Sequence, residues 1–265
     1  MKKVLLTLLV IVTAVIVYSC SDDGQGSAKF SLRLTDSPGD FEEVLIDVQE
    51  VRVSFQSDGE ETSWITLNGV VPTVYNLLEL TNGVDILLTE EELPVGTISQ
   101  IRLVLGDNNQ VKVDGQYYDI KTPSAQQSGL KLNVHAELED GLTYKMWIDF
   151  DAGRSIVEKG NGDYSLKPVI RTFTEATNGA IKGVVSPIQT RAYIHAISEN
   201  LDTVSTYADQ ETGAFLIRAL DQGEYKVKFI PEDDYLEKEV EDVAVNVGVV
   251  TDLGVIELEE KVIVE

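Results

Sequence analysis

Apolar and polar residues alternate with a period of two through most of this chain. Phe30, Leu32 and Leu34 alternate with Lys29, Ser31 and Arg33, the pattern of a half-buried strand. Residues 43–55, EVLIDVQEVRVSF, repeat it with Val44, Ile46 and Val48, then Val51, Val53 and Phe55. The phase slips by one at Gln49-Glu50. A strand with one inside face cannot slip without turning its core outward, so a bulge or bend is predicted there. ISQIRLVL, QVKVD, QYYDIK, LKLNVHAEL, TYKMWIDF and YSLKPVI follow, each short and rich in β-branched or aromatic residues. Gly106-Asp107-Asn108-Asn109, Asp114-Gly115, Asp140-Gly141 and Asn161-Gly162 separate them. Asp-Gly and Asn-Gly favour the positive φ angles of tight hairpins. Helical signal is confined to two places. Thr89 to Glu92 fits a capping box on a single turn before Leu93-Pro94, and Asp151 can cap a short turn at AGRSIV.

Residues 172–178, TFTEATN, interrupt the pattern, and a second set of short alternating segments follows. The fold class expected is all-β: two antiparallel β-sandwich domains in tandem, over residues 29–175 and 179–260. A hydrophobic content of 43% is that of a folded chain. The formal net charge of −24 opposes phosphate backbones, so nucleic acid is not an expected partner.

The N-terminus breaks the alternation. Met1-Lys2-Lys3 is basic, Val4 to Tyr18 is nearly all apolar, and Cys20, the chain's one cysteine, is followed by Ser21-Asp22-Asp23. The apolar run is short of the roughly 20 residues of a spanning helix and has the make-up of a secretory signal. VYSC resembles the lipobox of bacterial lipoproteins, in the looser form familiar in Bacteroidota. Val17, Tyr18 and Ser19 depart from the commonest box. The resemblance implies a signal peptide at 1–19, a thioether lipid on Cys20, and a flexible tether at 20–28. Several acyl chains on one residue anchor firmly where one is marginal. A plain signal peptide with an incidental cysteine, and an uncleaved anchor, are the alternatives. SDDGQ resembles the acidic signal that sends some Bacteroidota lipoproteins to the cell surface, so the expected location is the outer membrane, lipid-anchored and surface-exposed.

Three blocks carry a family resemblance: LTDSPGDFEEVLIDVQEVRV at 34–53, ELPVGTISQIRLVL at 92–105 and WIDFDAGRSIVEKGNGDYSLKPVIR at 147–171. Together they resemble the domain of unknown function 4382, found in exported bacterial lipoproteins, with Ser37 where the family usually has alanine. That family implies no settled activity. In the second part, DQETGAF with Asp209, Gly213 and Phe215, and LDQGEYKVKF with Gly223, resemble the carboxypeptidase regulatory-like, transthyretin-type sandwich. This likeness implies a fold and is silent on function.

Little in the chain points to catalysis. His135 and His195 sit in alternating segments of different domains, and there is no GxSxG, HExxH or phosphate-binding glycine loop. No catalytic residue and no cofactor is expected. Asp36 and Asp40 around one turn, and Asp149 and Asp151 on one side of a strand, are candidate calcium ligands, since calcium takes six to eight oxygens. Asp36 is equally an Asx-turn residue and Asp151 equally a cap. Trp147 stands out of phase with Tyr144, Met146, Ile148 and Phe150, so it faces either solvent, as a candidate sugar platform, or a second contact such as a loop or the other domain. A self-formed crosslink between Lys182 and Asn246 would need a buried lysine, and Lys182, in an alternating strand with apolar neighbours, is expected to face solvent. The reading is a non-enzymatic structural, adhesive or partner-binding envelope module, meeting the membrane through Cys20 and a protein or glycan at the surface. A glycan-binding accessory lipoprotein is the alternative, and a hydrolase a distant third.

Overall fold

The structure is a computed structural model that describes residues 26–37, 39–57, 62–122, 128–160, 162–174, 177–232 and 234–261. Cys20, the signal segment at 1–19 and Asn161 lie outside the described residues. Regular structure among the described residues is almost entirely strand, as the alternation predicts. Most of the buried apolar residues fall into two clusters, one from Ala28 to Tyr164 and one from Ile181 to Leu258.

The first cluster lies between two sheets. One has four strands in the order β13 (Ile170–Thr174), β10 (Thr143–Asp151), β1 (Ser27–Ser37), β5 (Ile86–Pro94). The other is ordered β11 (Ile156–Glu158), β12 (Tyr164–Leu166), β8 (Gln116–Lys121), β7 (Gln110–Val113), β2 (Glu43–Gln56), β6 (Gly96–Leu105), β9 (Leu130–Leu138). The short strands β3 (Ser63–Thr66) and β4 (Thr73–Asn76) also pair with β2. Phe30, Leu32, Leu34, Ile148 and Phe150 from the first sheet meet Ile46, Val51, Val53, Ile101 and Leu103 from the second, all fully buried. Each such side chain contributes about 1.5–3 kcal/mol by leaving water.

The local expectations hold where turn chemistry is explicit. The β2–β6 register shifts between Val48 and Glu50, at the phase slip. Asp114 and Gly115 have φ of 49° and 75°, so the β7–β8 hairpin has the two positive angles that Asp-Gly supplies. Buried Asp47 holds the turn after β6, accepting the Asn108 N–H at 3.1 Å and its side-chain amide at 3.0 Å. Asp151 caps the short helix α1 (Ala152–Ser155), accepting the Arg154 N–H at 2.9 Å.

Three expectations are corrected. Thr89 to Glu92 form no helical turn: they belong to β5, with Thr89 opposite Leu32 and Glu92 opposite Lys29. A ladder of backbone bonds to β1, with Leu88 and Leu93 buried, outweighs one capping interaction. Nor is every sheet antiparallel, since β1 and β10 pair in parallel, as do β8 and β12. And β1 is not half-buried. Ser31 and Thr35, on its polar side, are buried too, and the Thr35 hydroxyl donates to the Leu80 and Val84 carbonyls of the segment before β5.

The second unit packs a three-stranded sheet, β17 (Ala214–Leu220), β14 (Gly179–Ser186), β20 (Val250–Glu257), on a four-stranded one, β16 (Thr203–Tyr207), β15 (Tyr193–Ser198), β18 (Gly223–Ile230), β19 (Lys238–Val245). β14 and β20 are parallel. Phe215 and Phe229 meet edge-to-face at 5.5 Å in its core. Lys182 faces solvent and pairs with Asp252 at 3.3 Å.

Candidate functional site

The densest group of buried polar side chains lies where the two units meet. It is built on the C-terminal ends of β1 and β10. Their parallel register sets Thr35 beside Asp149 and Ser37 beside Asp151, while β13 sets Arg171 beside Asp149. Residues more than a hundred positions apart thus form one cluster.

Within it the three acids do different work. Asp36 Oδ1 accepts the Ala152 N–H at 2.9 Å, clamping β1 to the start of α1. Its Oδ2 is buried with no partner among the described residues. Burial pushes the Asp36 carboxyl well above its ordinary range; the Ala152 N–H opposes this, and Asp149 and Asp151 add to the rise. Asp149 accepts the Ser37 hydroxyl at 3.1 Å and pairs with Arg171, yet burial still raises its pKa. Asp151 is spent on capping, and burial raises it as well.

Asp85, just before β5, crosses the junction. It accepts from Arg33 and, at 3.0 Å, from the Trp147 indole N–H, both in the first unit, and from Arg218 of the second unit at 3.4 Å. Burial pushes its carboxyl up, but the bonds from Trp147, Arg33 and Arg218 win and hold it below the ordinary value. Trp147 is 5% exposed, stacked on Phe173 at 5.4 Å with Arg218 over its other side. Trp147 therefore takes the second of the two orientations open to it, against the other unit, and does not offer a sugar platform to solvent. Thr206 to Asn82 at 3.3 Å and Arg191 to Asp40 at 3.0 Å add further contacts between the units.

The four candidate calcium ligands do not form one set: Asp36, Asp149 and Asp151 are neighbours, each engaged with other groups, and Asp40 lies apart. Asp40 is exposed and turned to Arg191, Asp151 caps α1, and Asp149 faces a guanidinium. Among the described residues no three His, Cys, Asp or Glu side chains are grouped to hold a metal ion. The cavity between Asp36, Asp149 and the second unit has a volume of about 20 Å³. That is room for roughly one water.

His135 is exposed beside Glu137. His195 lines an open cleft of about 760 Å³ together with Arg154, Arg171 and Glu224. Its Nδ1 lies 2.6 Å from Ser205 Oγ across the β15–β16 pair. Burial first, and then Lys228, push its pKa down. Arg33, Asp85, Arg171 and Arg218 carry no sequence signal of their role. Arg33 sits in the polar phase of its strand and reads as solvent-facing.

The family model described as domain of unknown function (DUF4382) matches residues 27–168. No curated protein matches the chain. Among solved structures, the chain is similar to the Bacillus anthracis TIE protein, at 13% identity and a TM-score of 0.25, covering 89% of this chain and 34% of that one. It thus spans about a third of that protein. It is also similar to GBS52, the minor pilin of Streptococcus agalactiae, at 9% identity and a TM-score of 0.27, covering 89% and 98%. A C-terminal fragment of the pilus adhesin SpaC from Lactobacillus rhamnosus GG gives 11% identity and a TM-score of 0.27, covering 91% and 100%. At these scores the likeness carries no function across. No helix among the described residues is long and apolar enough to cross a membrane.

Proposed function

The chain belongs to the domain of unknown function (DUF4382) family, and from that premise we propose that it is a non-enzymatic envelope module, anchored by a lipid on Cys20, which presents two joined β units as one body at the outer cell surface. One observation carries this reading: the buried acids that could do chemistry are committed to architecture. Asp36 clamps β1 to α1, Asp149 is paired with Arg171, and Asp85 joins the units through Arg218. A cavity of about 20 Å³ admits no sugar between Asp36 and Asp149, so a glycosidase reading finds no substrate space there.

The His195–Ser205 pair is the feature closest to a hydrolase. A working base is oriented by a third group, a carboxylate in the Ser-His-Asp triad. Across the neighbouring strand His195 instead faces Lys228. We read the pair as a cross-strand hydrogen bond.

Anchoring rests on the sequence around Cys20. Cys20→Ala should abolish labelling with radioactive palmitate and leave the precursor uncut, and protease added to intact cells should degrade the wild-type chain. Normal processing of the Cys20→Ala chain would refute the anchor. Full protection from protease would refute surface display.

A further inference from the structure

Opposite the core, the β2–β6–β9 sheet has an open face whose composition contradicts the rest of the molecule. Arg52 on β2 lies directly opposite Arg102 on β6, and Arg102 directly opposite Lys131 on β9. Three cations thus stand side by side across three adjacent strands, in a chain with 21 Lys and Arg against 45 Asp and Glu. Like charges directly opposite one another destabilise a sheet. Arg52 is relieved by Glu50. Arg102 and Lys131 have no carboxylate partner among the described residues. The Arg102 guanidinium lies 3.7 Å over the Trp64 ring, and its Nε–H is buried without an acceptor. Trp64, on β3 opposite Ser54, is 42% exposed. In the next row, Gln100 donates to Asn133 at 3.0 Å.

We propose that this face binds an acidic, carboxylate-bearing polysaccharide. The cations are spaced by the strand separation, about 4.8 Å. That step is comparable to one pyranose ring, so a uronate chain lying across the strands keeps carboxylates within reach of the long side chains of Arg102 and Lys131. A guanidinium held flat by an indole keeps its edge free for a bidentate carboxylate. The open part of the Trp64 ring and the Gln100–Asn133 amides suit a sugar ring and its hydroxyls. An acidic peptide met by the arginines is the competing ligand, and the polyglutamate control separates it from the polysaccharide. The row carries no apolar wedge for a lipid surface. The overall negative charge opposes the ligand at long range, but in salt its reach is only about 8 Å, and the cations act inside that distance. This inference goes beyond the anchoring and presentation proposed above and uses neither the junction nor Cys20.

The test is binding of the full chain, purified in mild detergent with a chelator present, to immobilised polygalacturonate. Dextran is the neutral control and polyglutamate the acidic peptide control. Binding to polygalacturonate alone is expected, weakening as salt rises. Arg102→Gln and Lys131→Gln should each weaken it about tenfold, the loss of one charge-assisted contact. Trp64→Ala should weaken it too. Arg102 and Lys131 are on an open face, so Arg102→Gln and Lys131→Gln should stay folded and melt close to the wild-type temperature, and Trp64→Ala, which loses the stack with Arg102, should melt somewhat lower. Absence of wild-type binding, equal binding to dextran, equal or tighter binding to polyglutamate, or undiminished binding by the folded Arg102→Gln, Lys131→Gln double variant would each overturn the proposal. None of these results bears on palmitate labelling or surface display, so the two readings fail separately.

Discussion

Asp85→Ala is the sharpest probe of the junction. The side chain of Asp85 is only 13% exposed, and those of Arg33 and Arg218 are 32% and 30% exposed. Removing the carboxylate leaves two guanidinium groups facing one another across Trp147, whose indole N–H loses its acceptor. Breaking a fully buried ion pair costs about 3–5 kcal/mol, whereas a surface pair is worth about 0–1 kcal/mol. The partly exposed arginines place this site between those limits. The expected loss is about 2–3 kcal/mol, of which roughly 1 kcal/mol is the unsatisfied indole. Asp85→Asn keeps an acceptor for Trp147 but not the charge, so it should lose less. The assay is equilibrium urea unfolding, followed by fluorescence in a Trp64→Phe background so that only Trp147 reports. A double-mutant cycle with Arg218→Ala should give a coupling of at least about 0.5 kcal/mol between the units. A loss below about 0.5 kcal/mol for Asp85→Ala, or no coupling to Arg218, would refute the view that this carboxylate fixes one unit on the other.

Asp36 makes a prediction of opposite sign. Burial raises its folded pKa above the unfolded value, so the folded chain keeps a proton that the unfolded chain has released, and stability falls as pH rises from about 4 through the folded value. Asp36→Asn keeps an acceptor for Ala152 and adds a donor toward Asp149 and Asp151. It should melt higher than wild type at neutral pH, with a flatter dependence on pH in thermal denaturation; a lower melting temperature at neutral pH would contradict this. Gly213 has φ of 72° and a Cβ there would sit 2.3 Å from the Val185 carbonyl oxygen, so Gly213→Ala should cost roughly 2–4 kcal/mol in urea unfolding. A cost under about 1 kcal/mol would mean the β14–β17 corner yields easily. Asp40→Asn removes only the Asp40 side of the Arg191 contacts and should change stability in urea unfolding by less than about 1 kcal/mol, a larger loss showing that the pair is shielded from solvent.

The sequence by itself determined the features that depend on neighbours along the chain. Period-two alternation marks the strands because successive side chains point to opposite faces. The phase slip at Gln49-Glu50 marks the register shift, Asp114-Gly115 supplies the hairpin angles, and Asp151 three residues before Arg154 supplies the cap. Tertiary structure alone decided everything that depends on which strands become neighbours. Thr89 to Glu92 carry a helix-start signature, yet a free edge on β1 draws them into a strand. Trp147 breaks the alternation of β10, and that break tells only that two faces are occupied. That the second face meets Phe173 and Arg218 follows from the packing of the second unit. Asp36, Asp149 and Arg171 form one cluster because β1 and β10 pair in parallel across more than a hundred residues. Arg52, Arg102 and Lys131 form one row because the β2–β6 and β6–β9 registers place them opposite one another. Alternation records which face a side chain takes, and a one-residue change of register would leave that local pattern intact while dispersing the row.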